Sequence, residues 1–166
     1  GVFTLQSGDK CIGQWVQDIL QCEVEMEYKN GDRYEGEINR KTFEKNGKGA
    51  LSCKGGDKYE GNFLNDKFDG IGKYTWKDKS TYEGSFVKGD RTGEGILEYT
   101  NGDKFSGTWK SCSRHGKGTF YLKNGDKYSG NWINDCYNGT GKYIWNHGCE
   151  YEGEWQDGLR TGYGVM

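Results

Sequence analysis

One residue pattern returns every 23 positions along most of this chain. Tyr59, Tyr82, Phe105, Tyr128 and Tyr151 are its successive first positions, and Tyr34 stands 25 residues before Tyr59. A fixed short period decides the architecture before any local motif is weighed, because each copy is one supersecondary unit whose core its neighbours complete. The third position is always glycine: Gly36, Gly61, Gly84, Gly107, Gly130 and Gly153. The fifth is Ile38, Phe63, Phe86, Trp109, Trp132 and Trp155. In most copies a G-x-G follows, as in Gly70 and Gly72, Gly93 and Gly95, Gly116 and Gly118, Gly139 and Gly141, and Gly162 and Gly164.

Within the copy that starts at Tyr82, the residues Tyr82, Gly84 and Phe86 alternate with Glu83, Ser85 and Val87. Period-two alternation marks a strand with one packed face. After a short loop, Lys88 to Thr92, a second alternating run carries Gly93, Gly95, Leu97 and Tyr99 on one face, so each copy is a hairpin. The links between copies include Asn30-Gly31-Asp32, Asn101-Gly102-Asp103 and Asn124-Gly125-Asp126, with Gly55-Gly56-Asp57 as a variant. Asn-Gly accepts the positive φ values of a tight hairpin turn. Glycine recurs too often for helix. The expected fold is all-β, an elongated single antiparallel meander of consecutive hairpins. At about 4.8 Å per strand, seven copies give a rod or trough roughly 60–70 Å long.

The pattern Y-E-G-x-[FW] followed by G-x-G resembles the MORN (membrane occupation and recognition nexus) repeat. The array runs through 11–33, 34–58, 59–81, 82–104, 105–127, 128–150 and a truncated 151–166. Residues 1–10 read as the tail of a preceding copy. The chain begins with Gly1 and not Met, so it is expected to be part of a longer protein. The copy 11–33 is degenerate, with Cys22 and Val24 where G-x-G belongs. The copy 34–58 carries two extra residues in a loop, Asn39 to Asn46, that should protrude. The glycine gap on the ring face is expected to receive rings of the facing strand, such as Tyr74, Trp76, Tyr99, Phe120, Tyr143 and Trp145.

Composition fits a thin aromatic core. Gly numbers 29 and Pro 0, hydrophobic residues are 32% and aromatics 15%, too little aliphatic mass for a thick interior and too many rings for disorder. Lys plus Arg is 23 against 25 for Asp plus Glu, a formal charge of -2 with interspersed signs, which argues against nucleic-acid binding. No apolar run approaches the roughly 20 residues of a membrane-spanning helix. Cys11, Cys22, Cys53, Cys112, Cys136 and Cys149 do not follow the period, so they read as free thiols of a reducing cytosol. Asn138-Gly139-Thr140 spells a glycosylation sequon on positions that the repeat already accounts for.

No catalytic constellation stands out, and the chain is expected not to be an enzyme. The G-x-G pairs are not phosphate loops, since no Lys-Ser/Thr and no helix follow. Two weak zinc sets are spelled out: Cys112, His115 and Cys136 in adjacent loops, and His147 with Cys149, which two copies could combine across a dimer. Spacing alone is weak evidence, exposed loop residues filling variable positions account for both spellings more simply, and no cofactor is expected. Trp76, Tyr99, Trp145 and Trp155 are candidate partner anchors, because rings in a concave trough hold partners well. Glu35, Glu60, Glu83 and Glu152 beside the first aromatic are most simply a solvated face, the functional alternative being a charged ladder that a basic partner helix could read. The resemblance implies a non-enzymatic scaffold in a cytoplasmic, cytoskeletal, ciliary or membrane-proximal assembly. It further implies a helix or extended segment as partner and pairing of two copies through terminal repeats. A phospholipid-binding module and a regulatory region of a larger enzyme are the alternatives.

Overall fold

The computed structural model describes every residue except Asp18. Its strands are β1 (Val2–Thr4), β2 (Lys10–Val16), β3 (Ile19–Glu27), β4 (Arg33–Ile38), β5 (Lys45–Ser52), β6 (Lys58–Leu64), β7 (Lys67–Thr75), β8 (Thr81–Val87), β9 (Asp90–Glu98), β10 (Lys104–Lys110), β11 (Ser113–Tyr121), β12 (Lys127–Ile133), β13 (Cys136–Ile144), β14 (Glu150–Gln156) and β15 (Leu159–Val165). They form one open sheet in chain order, with β1 and β15 at its ends. Among the described residues there is no helix long and apolar enough to cross a membrane. The chain divides into two compact units, Gly1–Asp78 with Phe86–Gly89, and Lys79–Ser85 with Asp90–Met166.

In the second unit a row of glycines crosses the sheet: Gly95 faces Gly107, which faces Gly118, then Gly130, Gly141, Gly153 and Gly164. The first unit repeats the device with Gly36, Gly49, Gly61 and Gly72. The ring over each glycine pair is not one from the facing strand, as expected, but the first-position ring of the same copy. A Cβ on Gly130 would meet the Tyr128 hydroxyl at 2.5 Å and the Gly141 Cα at 2.5 Å. The reason is reach: a tyrosine leaning along its own strand spans two residues and needs bare backbone beneath it.

The G-x-G glycines serve two different ends. The second of each pair lies under the ring. The first sits in a bulge at positive φ, as at Gly70 (82°), Gly116 (65°) and Gly139 (68°). In the same copies the register slips between the third and fifth positions of the first strand. That slip leaves the fourth residue outside the ladder, and the tyrosine hydroxyl donates to its carbonyl: Tyr59 to Asn62 at 2.9 Å and Tyr128 to Asn131 at 2.9 Å.

The turns also correct the sequence reading. The tight two-residue turn with positive φ at both positions lies within each copy from residue 59 onward, as at Asn65 and Asp66, Lys88 and Gly89, or Asn134 and Asp135. Asp90, Arg91 and Thr92 therefore belong to β9 and not to a loop. The Asn-Gly-Asp segments close longer turns, in which Tyr99 N–H donates to Asp103 O at 2.9 Å. The Asn39–Asn46 loop does not protrude: Phe43, at φ 60°, sets its ring 5.4 Å from that of Phe3 in β1.

Candidate functional site

Between the ring rows runs a stack that the sequence did not announce. Each copy from residue 34 onward places one flat or cationic group beside its own first-position ring. Phe68 stacks on Tyr59 at 3.9 Å and Tyr137 on Tyr128 at 3.7 Å. The Arg91 guanidinium lies 5.5 Å from the Tyr82 ring and 4.5 Å from Trp109 of the next copy, and that of Arg114 5.7 Å from Phe105 and 4.5 Å from Trp132. Lys45 sits 5.8 Å from Tyr34 and 5.1 Å from Tyr28, and Arg160 5.5 Å from Tyr151. The tight-turn residue 21 positions later follows suit. Where the group is cationic, that residue offers an acceptor: Asp66 to Lys45 at 2.8 Å, Cys112 O to Arg91 at 2.8 Å, and Asp135 to Arg114 at 2.8 Å. Opposite Phe68 and Tyr137 it is Gly89 and Gly158. The signal was present as a 23-residue series, Lys45, Phe68, Arg91, Arg114, Tyr137 and Arg160, but its members share planarity or charge and not residue type.

The candidate anchors separate by position. Trp155 is core, 6% exposed, and its indole N–H donates to Gly141 O at 3.0 Å. Trp109 and Trp132 do the same to Gly95 and Gly118. Trp76 is half-buried just after β7, its ring 4.9 Å from Tyr74. In the second unit Tyr99, Leu122 and Trp145 stand half-buried at equivalent places just before the longer turns. Trp145 is flanked by Tyr143 at 4.8 Å and the Arg160 guanidinium at 5.7 Å.

The described grooves lie on the face opposite the buried rings. In the second unit a groove of about 490 Å³ is lined by Ser106, Thr119, Ser129, Asn131 and Thr140 above the glycine row. Thr119 and Ser129 hydroxyls are 3.1 Å apart, and Asn131 Nδ2 donates to Thr140 O at 3.1 Å. A larger groove of about 790 Å³ in the first unit is lined by Gln21, Glu23, Glu25, Glu35, Glu37 and Lys48.

The longer turns are tied copy to copy by aspartates. Asp32 accepts from Lys54 N–H, Asp57 from Lys77 N–H, Asp103 from Lys123 N–H and Asp126 from Asn146 N–H, at 2.8–2.9 Å. The Asn146 N–H holds the Asp126 carboxyl below the usual aspartate range, and the Ser7 hydroxyl does so at Asp9. Burial pushes the Tyr59 and Tyr82 hydroxyls up to about 12.

All six cysteines are unpaired thiols. Among the described residues no three His, Cys, Asp or Glu gather as a metal-holding group, so Cys112, His115 and Cys136 are not assembled into one. Cys112 lies in a tight turn, and its Sγ accepts from Arg91 N–H at 3.4 Å. His115 is in β11 and not in a loop, with Nδ1 buried and without a hydrogen-bond partner. His147 and Cys149 lie beside Gly148 in the segment before β14.

These features define a protein of stacked antiparallel hairpin repeats, each copy completing its neighbour's ring layer. The family model of the MORN repeat matches residues 59–81, 82–104, 105–127, 128–150 and 151–166, and the chain belongs to the MORN-repeat family. The TCP domain of Drosophila melanogaster SAS-4, solved in complex with a proline-rich motif of Ana2, is similar in fold. Its TM-score is 0.51 at 13% identity, covering 93% of this chain and 77% of that one. The TCP10 domain of Danio rerio CPAP, solved with a peptide of STIL, gives a TM-score of 0.44 at 11% identity, covering 92% and 82%. No curated protein matches this chain in sequence.

Proposed function

We propose that this chain is a non-enzymatic protein-interaction module of a cytoskeletal assembly, a repeat scaffold that holds a segment of a partner protein. The observation that carries this reading is in the second unit. Tyr99 and Trp145 stand half-buried at equivalent places before the longer turns, with Leu122 between them in the series, and rigid aromatic anchors such as Tyr99 and Trp145 concentrate binding energy. The SAS-4 domain, a fold relative solved with a bound proline-rich motif, makes a peptide ligand a natural choice, though by analogy of fold alone. Pairing of two copies through terminal repeats belongs to the same proposal, since the side chains of β15 are exposed throughout. The two-copy zinc site of His147 and Cys149 would accompany it.

The test is capture from a cytoskeletal extract by the immobilised chain and by a Tyr99→Ala, Trp145→Ala variant with an unchanged circular dichroism spectrum. Selective loss of the same bound proteins in the variant is expected. Equal capture by both overturns the reading. Light scattering across a concentration series tests the pairing, which a monomer at every concentration would remove.

A further inference from the structure

On the grooved face, charged residues in the other described strand pairs stand opposite a complement or a neutral residue. Glu60 faces Lys73 in the first unit. In the second, Lys142 pairs with Glu150 at 2.8 Å and Glu152 at 3.7 Å, and the Thr108 hydroxyl donates to Glu94 at 2.8 Å. Strands β3 and β4 break this rule. Glu25 stands directly opposite Glu35, and Glu23 directly opposite Glu37. Like charges facing across a ladder destabilise a sheet. Among the described residues none of the four forms an ion pair. One oxygen of Glu37 accepts Lys48 N–H at 3.0 Å, a neutral donor that leaves the charge uncompensated. Lys48 is the one cationic side chain among the described residues lining this groove.

We infer that this groove of the first unit docks an extended, Lys/Arg-rich segment of a partner protein. The inference rests on the protein-interaction reading and deepens it by giving the partner a chemistry. Shape and spacing favour a chain over an ion, since the carboxylates are not grouped as a metal-holding cluster. Glu23 with Glu25, and Glu35 with Glu37, are alternate residues of adjacent strands, so they make two rows about 5 Å apart with a step of about 7 Å. An extended peptide laid along the strands repeats its side chains at that same step, so lysines at alternate positions meet successive carboxylates. Binding would relieve the repulsion that the free groove carries, and charge complementarity would set both register and association rate.

The probe is a fluorescein-labelled octapeptide of alternating lysine and threonine, followed by anisotropy in low and physiological salt. A second peptide of equal composition with its lysines in one block tests the spacing. The alternating peptide is expected to bind more tightly than the blocked one. The Glu23→Lys, Glu25→Lys chain should lose about tenfold or more, the equivalent of one interaction of about 1.4 kcal/mol. Glu152→Lys, carrying half that charge change in the second unit, should stay within about twofold, as expected for an exposed charge away from the interface. Equal affinity in the double variant overturns the proposal. So does a loss in Glu152→Lys half as large on a logarithmic scale, which means net charge alone, or displacement by millimolar calcium at constant ionic strength, which means a cation site. If peptide binding fails while the Tyr99 and Trp145 capture persists, only this inference falls. If capture fails as well, the broader reading falls with it.

Discussion

The hairpins β12–β13 and β2–β3 share a register and meet the same packing problem with opposite residues. In β12–β13, Tyr128 faces Tyr143 and lies over the pair Gly130 and Gly141. In β2–β3, Cys11 faces Met26, and Gly13 faces Val24. Cys11 is fully buried but too short to reach along its strand, so the space a ring would occupy over Gly13 is filled by Leu20 and Val24. The fifth position changes with it: Trp132 is 1% exposed, whereas Trp15 is 46% exposed. The lesson is that ring and glycine are a matched pair, and a copy that loses one is best served by losing the other. Degeneracy in the sequence of residues 11–33 is thus a second packing solution and not a break in the sheet.

The largest effect is expected where a side chain is forced under a ring. Gly107→Val should cost about 3 kcal/mol by denaturant unfolding, because its Cβ would meet the Gly118 Cα, with Lys117 O at 2.6 Å and the Phe105 ring at 2.9 Å. Wild-type stability would break the comparison. Its converse sharpens it: Val24→Gly should cost about 2 kcal/mol through a cavity and chain entropy. Adding Cys11→Tyr should return about 1 kcal/mol of that as a coupling energy. Simple additivity of the two changes would refute the matched pair.

The stacked groups come next. Arg114→Ala should cost about 2 kcal/mol, since it removes a cation lodged against the Trp132 ring and leaves Asp135 without its ion pair, held only by neutral donors such as the residue-114 N–H. Arg160→Ala, next to the exposed edge, should cost under about 0.5 kcal/mol. Equal losses at the two sites would show that the stack contributes only surface charge.

Smaller still is the hydroxyl over the bulge. Tyr128→Phe should lose about 1 kcal/mol, and Phe105→Tyr, which puts a hydroxyl where that copy has none, should gain about 0.5 kcal/mol or more. A loss on Phe105→Tyr would mean that the Thr108 carbonyl is not reachable there. The smallest effect concerns the turns, which both regions build alike. Asp9 and Asp126 titrate below the ordinary aspartate value, so their contribution is present above about pH 4 and is lost as pH falls below it. Asp126→Asn should flatten the acid limb of a stability–pH curve slightly, and an unchanged limb would remove that aspartate from the account.

Hairpins and the buried rows of first- and fifth-position residues were legible because period and alternation depend on residue type alone. Tyr34, Tyr59, Tyr82, Phe105 and Tyr128 are all fully buried, where the 23-residue series places a core. Less legible was which turn is tight. Asn-Gly signalled positive φ, yet pairs such as Ser111 and Cys112 adopt it at both positions, because the strands they join fix the turn's twist and length. The anchors were half legible: Trp145 and Trp155 look alike as letters, and only the fold sends one to a turn edge and the other beneath a carbonyl.

The sequence by itself determined a chain of antiparallel hairpins with glycine under aromatic rings, since no other arrangement accommodates so many rings and so little aliphatic mass at a fixed period. Tertiary structure alone decided that each tyrosine covers its own copy's glycines, that Arg91 and Arg114 take the places of rings, and that Glu25 and Glu35 stand opposite one another. Those outcomes depend on cross-strand register and on how far a side chain reaches along its strand, and neither quantity is written in the spacing of the letters.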